Sequence, residues 1–309
     1  MDFTRKKYIM KNLTLTVIIP TYNRKDILKK CLNALFNQTY PQSNYEIIVI
    51  DDGSTDGTEE SIKSVVRDSP CLLRYFKQQN KGPAAARNVG ITNTSGKIVL
   101  FIGDDIMATS TLLEEHYNWH KRHPDDNVAV LGYVTWVPGA KVTLFMEWLE
   151  QSGAQFGYSL IRDSADVPYN FFYTSNVSVK RDFLLKYGLF DEDFPYAAWE
   201  DIELAYRLSG EGLRIVYNSA AVGYHEHQVC RRSFCKRSRL AGRAMAILHQ
   251  KHPELKERSA SIGRLNFVIG ILIWNLPSFM AKLIPREYLY ASYSFTISRH
   301  VEQGYREWL

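Results

Sequence analysis

The chain has 309 residues, 45% hydrophobic and 23% charged, which supplies a buried core and excludes general disorder. The net charge of +5 is uneven: from Cys230 onward there are 14 Lys and Arg against 5 Glu and no Asp, so a slightly acidic body carries a basic tail. Four cysteines (Cys31, Cys71, Cys230, Cys235) without a CxxC pair exclude a disulfide or zinc framework and fit free thiols.

At the N-terminus, Arg5, Lys6, Lys7 and Lys11 precede an apolar run from Leu13 to Ile19. The run is short, alternates with threonine, and ends at Pro20 with no small-residue cleavage site. It reads as a buried strand rather than a leader, and the expected location is cytoplasmic. Strand and helix patterns then alternate. Strands are expected over 15–19, 46–50, 72–76 and 98–102, and helices over 25–37, 55–66 and 82–93. That alternation predicts an α/β fold with a mostly parallel central sheet and helices on both faces. In such sheets ligands sit beyond the carboxyl ends of the strands. Three polar clusters stand there: Thr21-Tyr22-Asn23-Arg24, Asp51-Asp52-Gly53 and Gly103-Asp104-Asp105.

The pattern loosens after Val130. Helices are expected over 143–151, 182–187 and 200–209, a strand over 215–217, and a loop over 155–175. The tail reads as a basic helix over 231–249, followed by an apolar segment, Leu265 to Ile284. Asn266, Asn275, Pro277 and Lys282 interrupt that segment, so it falls short of the roughly 20 apolar residues a membrane span needs and reads as an interfacial or packed helix.

Each candidate cluster admits a chemical and a plain structural reading. Asp104-Asp105, delivered by the buried strand that ends in Phe101-Ile102, can coordinate a hard divalent cation or form a solvated turn. Asp52 can accept hydrogen bonds from a nucleoside, and Asp51 and Asp52 can also cap the next helix. Gly82 and the small residues after it allow close approach of an anion to a helix N-terminus, or tight helix packing. Glu200-Asp201 can supply a general base or simply complement a helix dipole. His225-Glu226-His227 can add a nitrogen ligand to a metal or lie exposed after a strand. Neither GxGxxG nor GxxxxGK[ST] occurs, so dinucleotide and P-loop sites lack their fingerprints.

In order and spacing, Val17 to Arg24, Ile48 to Thr58, Asn80-Lys81-Gly82 with Ala86-Arg87-Asn88, Gly103-Asp104-Asp105, Glu200-Asp201 with Leu204 and Arg207, and His225-Glu226-His227 resemble the inverting family-2 glycosyltransferases of the GT-A fold. The resemblance covers residues 13–230. It implies that Pro20, Thr21, Tyr22, Arg24, Asp52, Gly82, Arg87 and Asp104 line a nucleotide-sugar pocket, usually for uridine. It implies Mn²⁺ or Mg²⁺ held by Asp105 with His225 or His227, and Asp201 as general base with Glu200 beside it. Phe190-Asp191-Glu192 and Ser175-Asn176 match the part that shapes the acceptor site. Gly103 departs from the family, which often has an acid there.

The expected organisation is a catalytic domain over 1–230, with a nucleotide-sugar part (13–130) and an acceptor part (131–230), plus a helical extension over 231–309. The expected partners are a nucleotide-sugar donor and a glycan or lipid-linked acceptor, with an anionic membrane surface engaged by Arg231, Arg232, Lys236, Arg237, Arg239 and Arg243. Three rivals are weaker. A nucleotidyltransferase would place a glycine-rich loop after the first strand, and a catalytically inactive binding module would lack the base or metal acid. A nucleic-acid binder would show a recognisable motif and a less acidic body.

Overall fold

A computed structural model describes residues 2–4, 13–227, 229–256 and 283–309. The basic residues Arg5, Lys6, Lys7 and Lys11, and the apolar segment up to Lys282, lie outside them. Packing divides the described chain into two compact units. The first holds the residues up to Ala140 with Leu160–Pro195 and Glu200–His227; the second holds Lys141–Ser159, Tyr196–Trp199 and the residues from 229 onward.

The first unit is built on a sheet of nine described strands: β1 (Asp2–Thr4), β2 (Leu15–Thr21), β3 (Tyr45–Asp51), β4 (Leu72–Lys77), β5 (Ile98–Ile102), β6 (Ile106–Ala108), β7 (Val128–Trp136), β8 (Asn176–Lys180) and β9 (Arg214–His225). Their order is β1-β4-β3-β2-β5-β8-β7-β9-β6. β4, β3, β2 and β5 are parallel neighbours, as the alternation predicts. Leu15, Val17, Ile18, Ile19 and Ile47 to Ile50 are all 0% exposed, because central parallel strands are covered on both faces. Between these strands run α1 (Lys25–Phe36), α2 (Thr58–Asp68) and α3 (Pro83–Asn93). α1 buries Leu28, Leu32 and Leu35, each worth roughly 1.5–3 kcal/mol of apolar transfer.

Register positions the site. Thr21 pairs with Asp51, Asp51 with Lys77, and Ile18 with Phe101, so the strands end nearly level and their polar clusters meet. The other half of the sheet adds antiparallel strands to the mostly parallel arrangement expected. β8 lies antiparallel between β5 and β7, and β6 antiparallel to β9, which makes the sheet mixed. Ile106 pairs with His225, which brings the start of β6 to the end of β9. The remaining helices of this unit are α4 (Leu112–Arg122), α6 (Arg181–Tyr187) and α7 (Glu200–Gly210).

The second unit contains α5 (Leu144–Ser152), α8 (Arg231–Lys251) and α9 (Arg286–Trp308). Phe145 meets Phe234 and Tyr293 edge-on, with centroids 5.6 and 5.2 Å away. Within the expected basic face, Arg239 and Arg243 are paired with Glu307 of α9, while Arg232, Lys236 and Arg237 are exposed. No helix among the described residues is long and apolar enough to cross a membrane.

Candidate active site

At the carboxyl ends of β2 and β5, four side chains interlock. Thr21 donates its hydroxyl to Asp104 Oδ2 (2.8 Å), and Arg24 reaches both Asp104 Oδ1 (3.0 Å) and Asp105 Oδ2 (2.9 Å). His225 Nε2 stands 3.2 Å from the same Asp105 oxygen. The two carboxylates then behave differently. Burial pushes Asp104 up to about 6, with Arg24 pulling it down and the Asp105 charge pushing it further up. Burial also opposes charge on Asp105, but His225 and Arg24 outweigh it and hold that carboxyl well below the usual range.

The donor set fits a small divalent cation. Asp105 and His225, an oxygen and a nitrogen donor 3.2 Å apart, are the residues that would hold it. Arg24, its side chain 37% exposed, supplies the positive charge these acids require. Among the described residues no group of three or more His, Cys, Asp or Glu is arranged to hold a metal. His227 is exposed, its ring centroid 5.8 Å from that of His225.

A second cluster adjoins the first through the Asp52 N–H, which donates to Thr21 O (2.9 Å). The Asp52 carboxylate accepts from Gln78 Nε2 (2.7 Å) and from the N–H groups of Lys81 and Gly82 (both 2.9 Å). Those two N–H groups are thus taken by a protein carboxylate. Gly82 has φ 91°, and a Cβ there would lie 2.9 Å from Pro195 O, so glycine answers both backbone conformation and packing. The capping expected of Asp51 and Asp52 is not observed. α2 begins later, at Thr58, where Asp56 accepts from the Thr58 N–H (3.1 Å), while Asp51 holds Ser54 N–H (2.7 Å) and Tyr75 OH (2.5 Å). Pro20 sits within β2, paired with Ile50, and Tyr22 is 47% exposed beside the cluster.

The third cluster lies at the N-terminus of α7. Arg87, expected in the nucleotide pocket, is 7% exposed and donates from Nη1 to Glu200 Oε1 (2.8 Å). Its guanidinium lies 5.4 Å from the Phe190 ring centroid. Glu200 is 2% exposed, whereas Asp201 is half-buried and takes weak bonds from the Thr174 N–H and hydroxyl (both 3.4 Å). Burial raises both carboxyls; the Asp201 charge raises Glu200 further, and Arg87 opposes the rise in each.

The sequence also matches a known family model, glycosyl transferase family 2, over residues 16–185, more than half of the chain. The chain belongs to glycosyl transferase family 2. Glu200, Asp201, His225 and His227 fall beyond the matched residues. Among sequence relatives, the chain is 28% identical to an Escherichia coli chondroitin synthase, matching 92% of this chain and 45% of the synthase. It is 28% identical to a validoxylamine A glucosyltransferase of Streptomyces hygroscopicus subsp. limoneus, matching 68% and 51%. It therefore spans about half the length of these relatives. Among solved structures, it resembles a Pyrobaculum calidifontis mannosyltransferase in complex with GDP-mannose and Mn²⁺ (TM-score 0.65, 20% identity, 96% of this chain and 87% of that one). It also resembles Staphylococcus aureus TarS residues 1–349 in complex with UDP-GlcNAc (TM-score 0.55, 21% identity, 96% and 92%). The fold is GT-A-like: a mixed, mostly parallel sheet with a helical C-terminal region.

Within this family-2 site some contributors carry no sequence signal. Gln78, beyond the strand expected over 72–76, anchors Asp52, and Thr174, in the segment read as loop, contacts Asp201. Trp136, its ring centroid 5.5 Å from that of His225, reaches the site because β7 and β9 pair there. Asn88 was part of the motif, and its role becomes visible in the fold: it bonds both Phe190 O (2.9 Å) and Phe190 N–H (3.0 Å).

Proposed function

We propose that the protein transfers a sugar, with inversion, from a nucleoside diphosphate sugar to a hydroxyl of a glycan or lipid-linked acceptor. The observation that carries this reading is the Asp104–Asp105 centre, two covered acids beside a half-exposed guanidinium and an imidazole at the strand ends. Tyr22, Asp52 and Thr21 border the nucleotide side, and the face of Tyr22 suits stacking against a base. Asp105 and His225 would hold a divalent cation, which when bound offsets negative charge on the diphosphate.

The half-buried Asp201 is the carboxylate an acceptor can reach, and burial raises its affinity for a proton. It takes the proton of the acceptor hydroxyl as that oxygen bonds to the anomeric carbon. The bond from this carbon to the diphosphate oxygen breaks, and the nucleoside diphosphate leaves with the electron pair. One displacement inverts the anomeric centre.

The test is release of nucleoside diphosphate from a panel of UDP- and GDP-sugars, with Mn²⁺, Mg²⁺ or EDTA. Turnover of one donor that stops with EDTA is expected. Failure of the protein to bind any nucleotide in the panel would refute the pocket.

A further inference from the structure

The Arg87–Glu200 pair is covered, and a covered ion pair is weak grounds for stability by itself. Its polar atoms are also incompletely used: among the described residues, Glu200 Oε2 and Arg87 Nε are both buried without a hydrogen-bond partner. Buried groups left in that state are uncommon and costly, so they point to a constraint other than stability. The neighbourhood shows what is being held. Asn88, next to Arg87 on α3, grips Phe190 through both backbone groups and also bonds Glu192 Oε1 (3.0 Å). Arg207 of α7 bonds Leu189 O (2.6 Å) from the other side while paired with Glu203 (2.7 Å). The segment before α7 is thus fastened to α3 and α7, and the Arg87 guanidinium spans from the Phe190 ring to Glu200.

We propose that Arg87 is a positioning residue for Asp201: through Glu200 it fixes the first turn of α7, and it supplies the positive charge that lets two neighbouring carboxylates coexist there. This rests on the reading of Asp201 as the base. Among the described residues, the other groups around Asp201 do not supply that charge. Glu203 is matched by Arg207 on α7, Thr174 is neutral, the short helix Tyr169–Phe171 brings Tyr169 against Tyr206, and Glu192 is held by Asn88. Arg87, by contrast, opposes the rise in proton affinity of both acids.

Carboxyl-carbon NMR titration of ¹³C-aspartate-labelled full-length protein reads Asp201 without any donor, the signal being assigned by its loss in Asp201→Asn. In Arg87→Gln the Asp201 titration should move up by about one pH unit, as expected when a nearby opposite charge is lost. It should stay near the parent value in Arg87→Lys and return toward it in the Arg87→Gln/Glu200→Gln double variant. An unmoved titration in folded Arg87→Gln overturns the proposal, since a merely structural residue would give that result. Should that variant not fold, Glu200→Gln alone decides: the Asp201 titration must fall, and no movement overturns the proposal.

Kinetics with UDP-GlcNAc and GDP-mannose separate the two readings. The acid limb of kcat should follow the Asp201 titration across the variants, with the donor KM within about twofold of the parent, because Arg87 acts on a protonation state rather than on binding. A donor KM raised in Arg87→Lys with an unmoved acid limb returns Arg87 to the nucleotide pocket and overturns the proposal. Full activity in Asp201→Asn removes the base reading instead, whatever Arg87 does to the titration.

Discussion

At the scale of single residues, the site is organised by unequal carboxylates. Asp104 and Asp105 are neighbours in sequence, yet one is raised to about 6 and the other held low, because His225 and Arg24 converge on one Asp105 oxygen while Asp104 keeps a neutral hydroxyl and a shared guanidinium. Glu200 and Asp201 differ in another way: both are raised, but the covered acid takes the ion pair while the half-buried one takes weak bonds from Thr174. Asp105, sharing its oxygen with His225, is therefore the acid whose loss should weigh most on cation use. Asp105→Asn is expected to lower kcat/KM by about 100-fold or more, the scale of several kcal/mol of charge stabilisation, and to raise the Mn²⁺ concentration needed for half-maximal rate. Asp104→Asn should cost less and leave that concentration near the parent value. Equal effects of the two substitutions on the Mn²⁺ titration would contradict this division.

At the scale of elements, the parallel half of the sheet was legible because its strands are continuous apolar runs with helices between them, and convergence of their polar ends follows from topology. β8 was not legible. Its sequence, Asn176-Val-Ser-Val-Lys180, has too few apolar residues to announce a central strand, and Asn176 and Ser178 share one face by the two-residue period. That face is buried against His116 and His120, which share a face of α4 by their four-residue spacing. The hydrogen bonds run one way. His120 Nε2 donates to Ser178 Oγ (2.8 Å), the Ser178 hydroxyl donates to His116 Nδ1 (2.8 Å), and His116 Nε2 donates to Asn176 Oδ1 (2.9 Å). The Asn176 amide then donates to Ala221 O (2.8 Å) and Tyr133 O (3.2 Å). The relay uses neutral imidazoles, in keeping with burial, which lowers His116 to about 4 and His120 to about 3.

This relay has a consequence for acid stability. An unfolded histidine takes up its proton near pH 6.5, but these two refuse it until well below that value, so the unfolded state binds more protons as pH falls. Their contribution to stability is full above about pH 6.5 and is lost progressively toward pH 4 and 3, by up to about 1.4 kcal/mol per pH unit for each histidine. His120→Gln should lower stability at pH 7 but make it fall less steeply between pH 6 and 4.5, by roughly one proton's worth. Urea unfolding at several pH values measures this, and parallel curves for parent and variant would show that His120 is charged in the fold.

At the scale of the molecule, the site residues from Pro20 to His227 lie in the first unit, while α5, α8 and α9 form the second. The basic tail was legible as a helix with a cationic cluster, but the pairing of Arg239 and Arg243 with Glu307 was not legible. The two long helices approach closely because each presents a glycine to the other's backbone: a Cβ on Gly242 would overlap the carbonyl of Val301, and one on Gly304 that of Arg239. Nothing in the charge pattern of the tail announces that contact. Gly242→Leu must force α8 and α9 apart at a cost of about 1–3 kcal/mol, on the order of 5–20 °C for a unit of this size. Calorimetry and circular dichroism should show a lowered helical transition, while binding of UDP or GDP with Mn²⁺ at 20 °C stays near the parent value, because the residues that would meet the nucleotide belong to the other unit. Loss of nucleotide binding in step with the helix pair would instead mean that the second unit is part of what shapes the pocket.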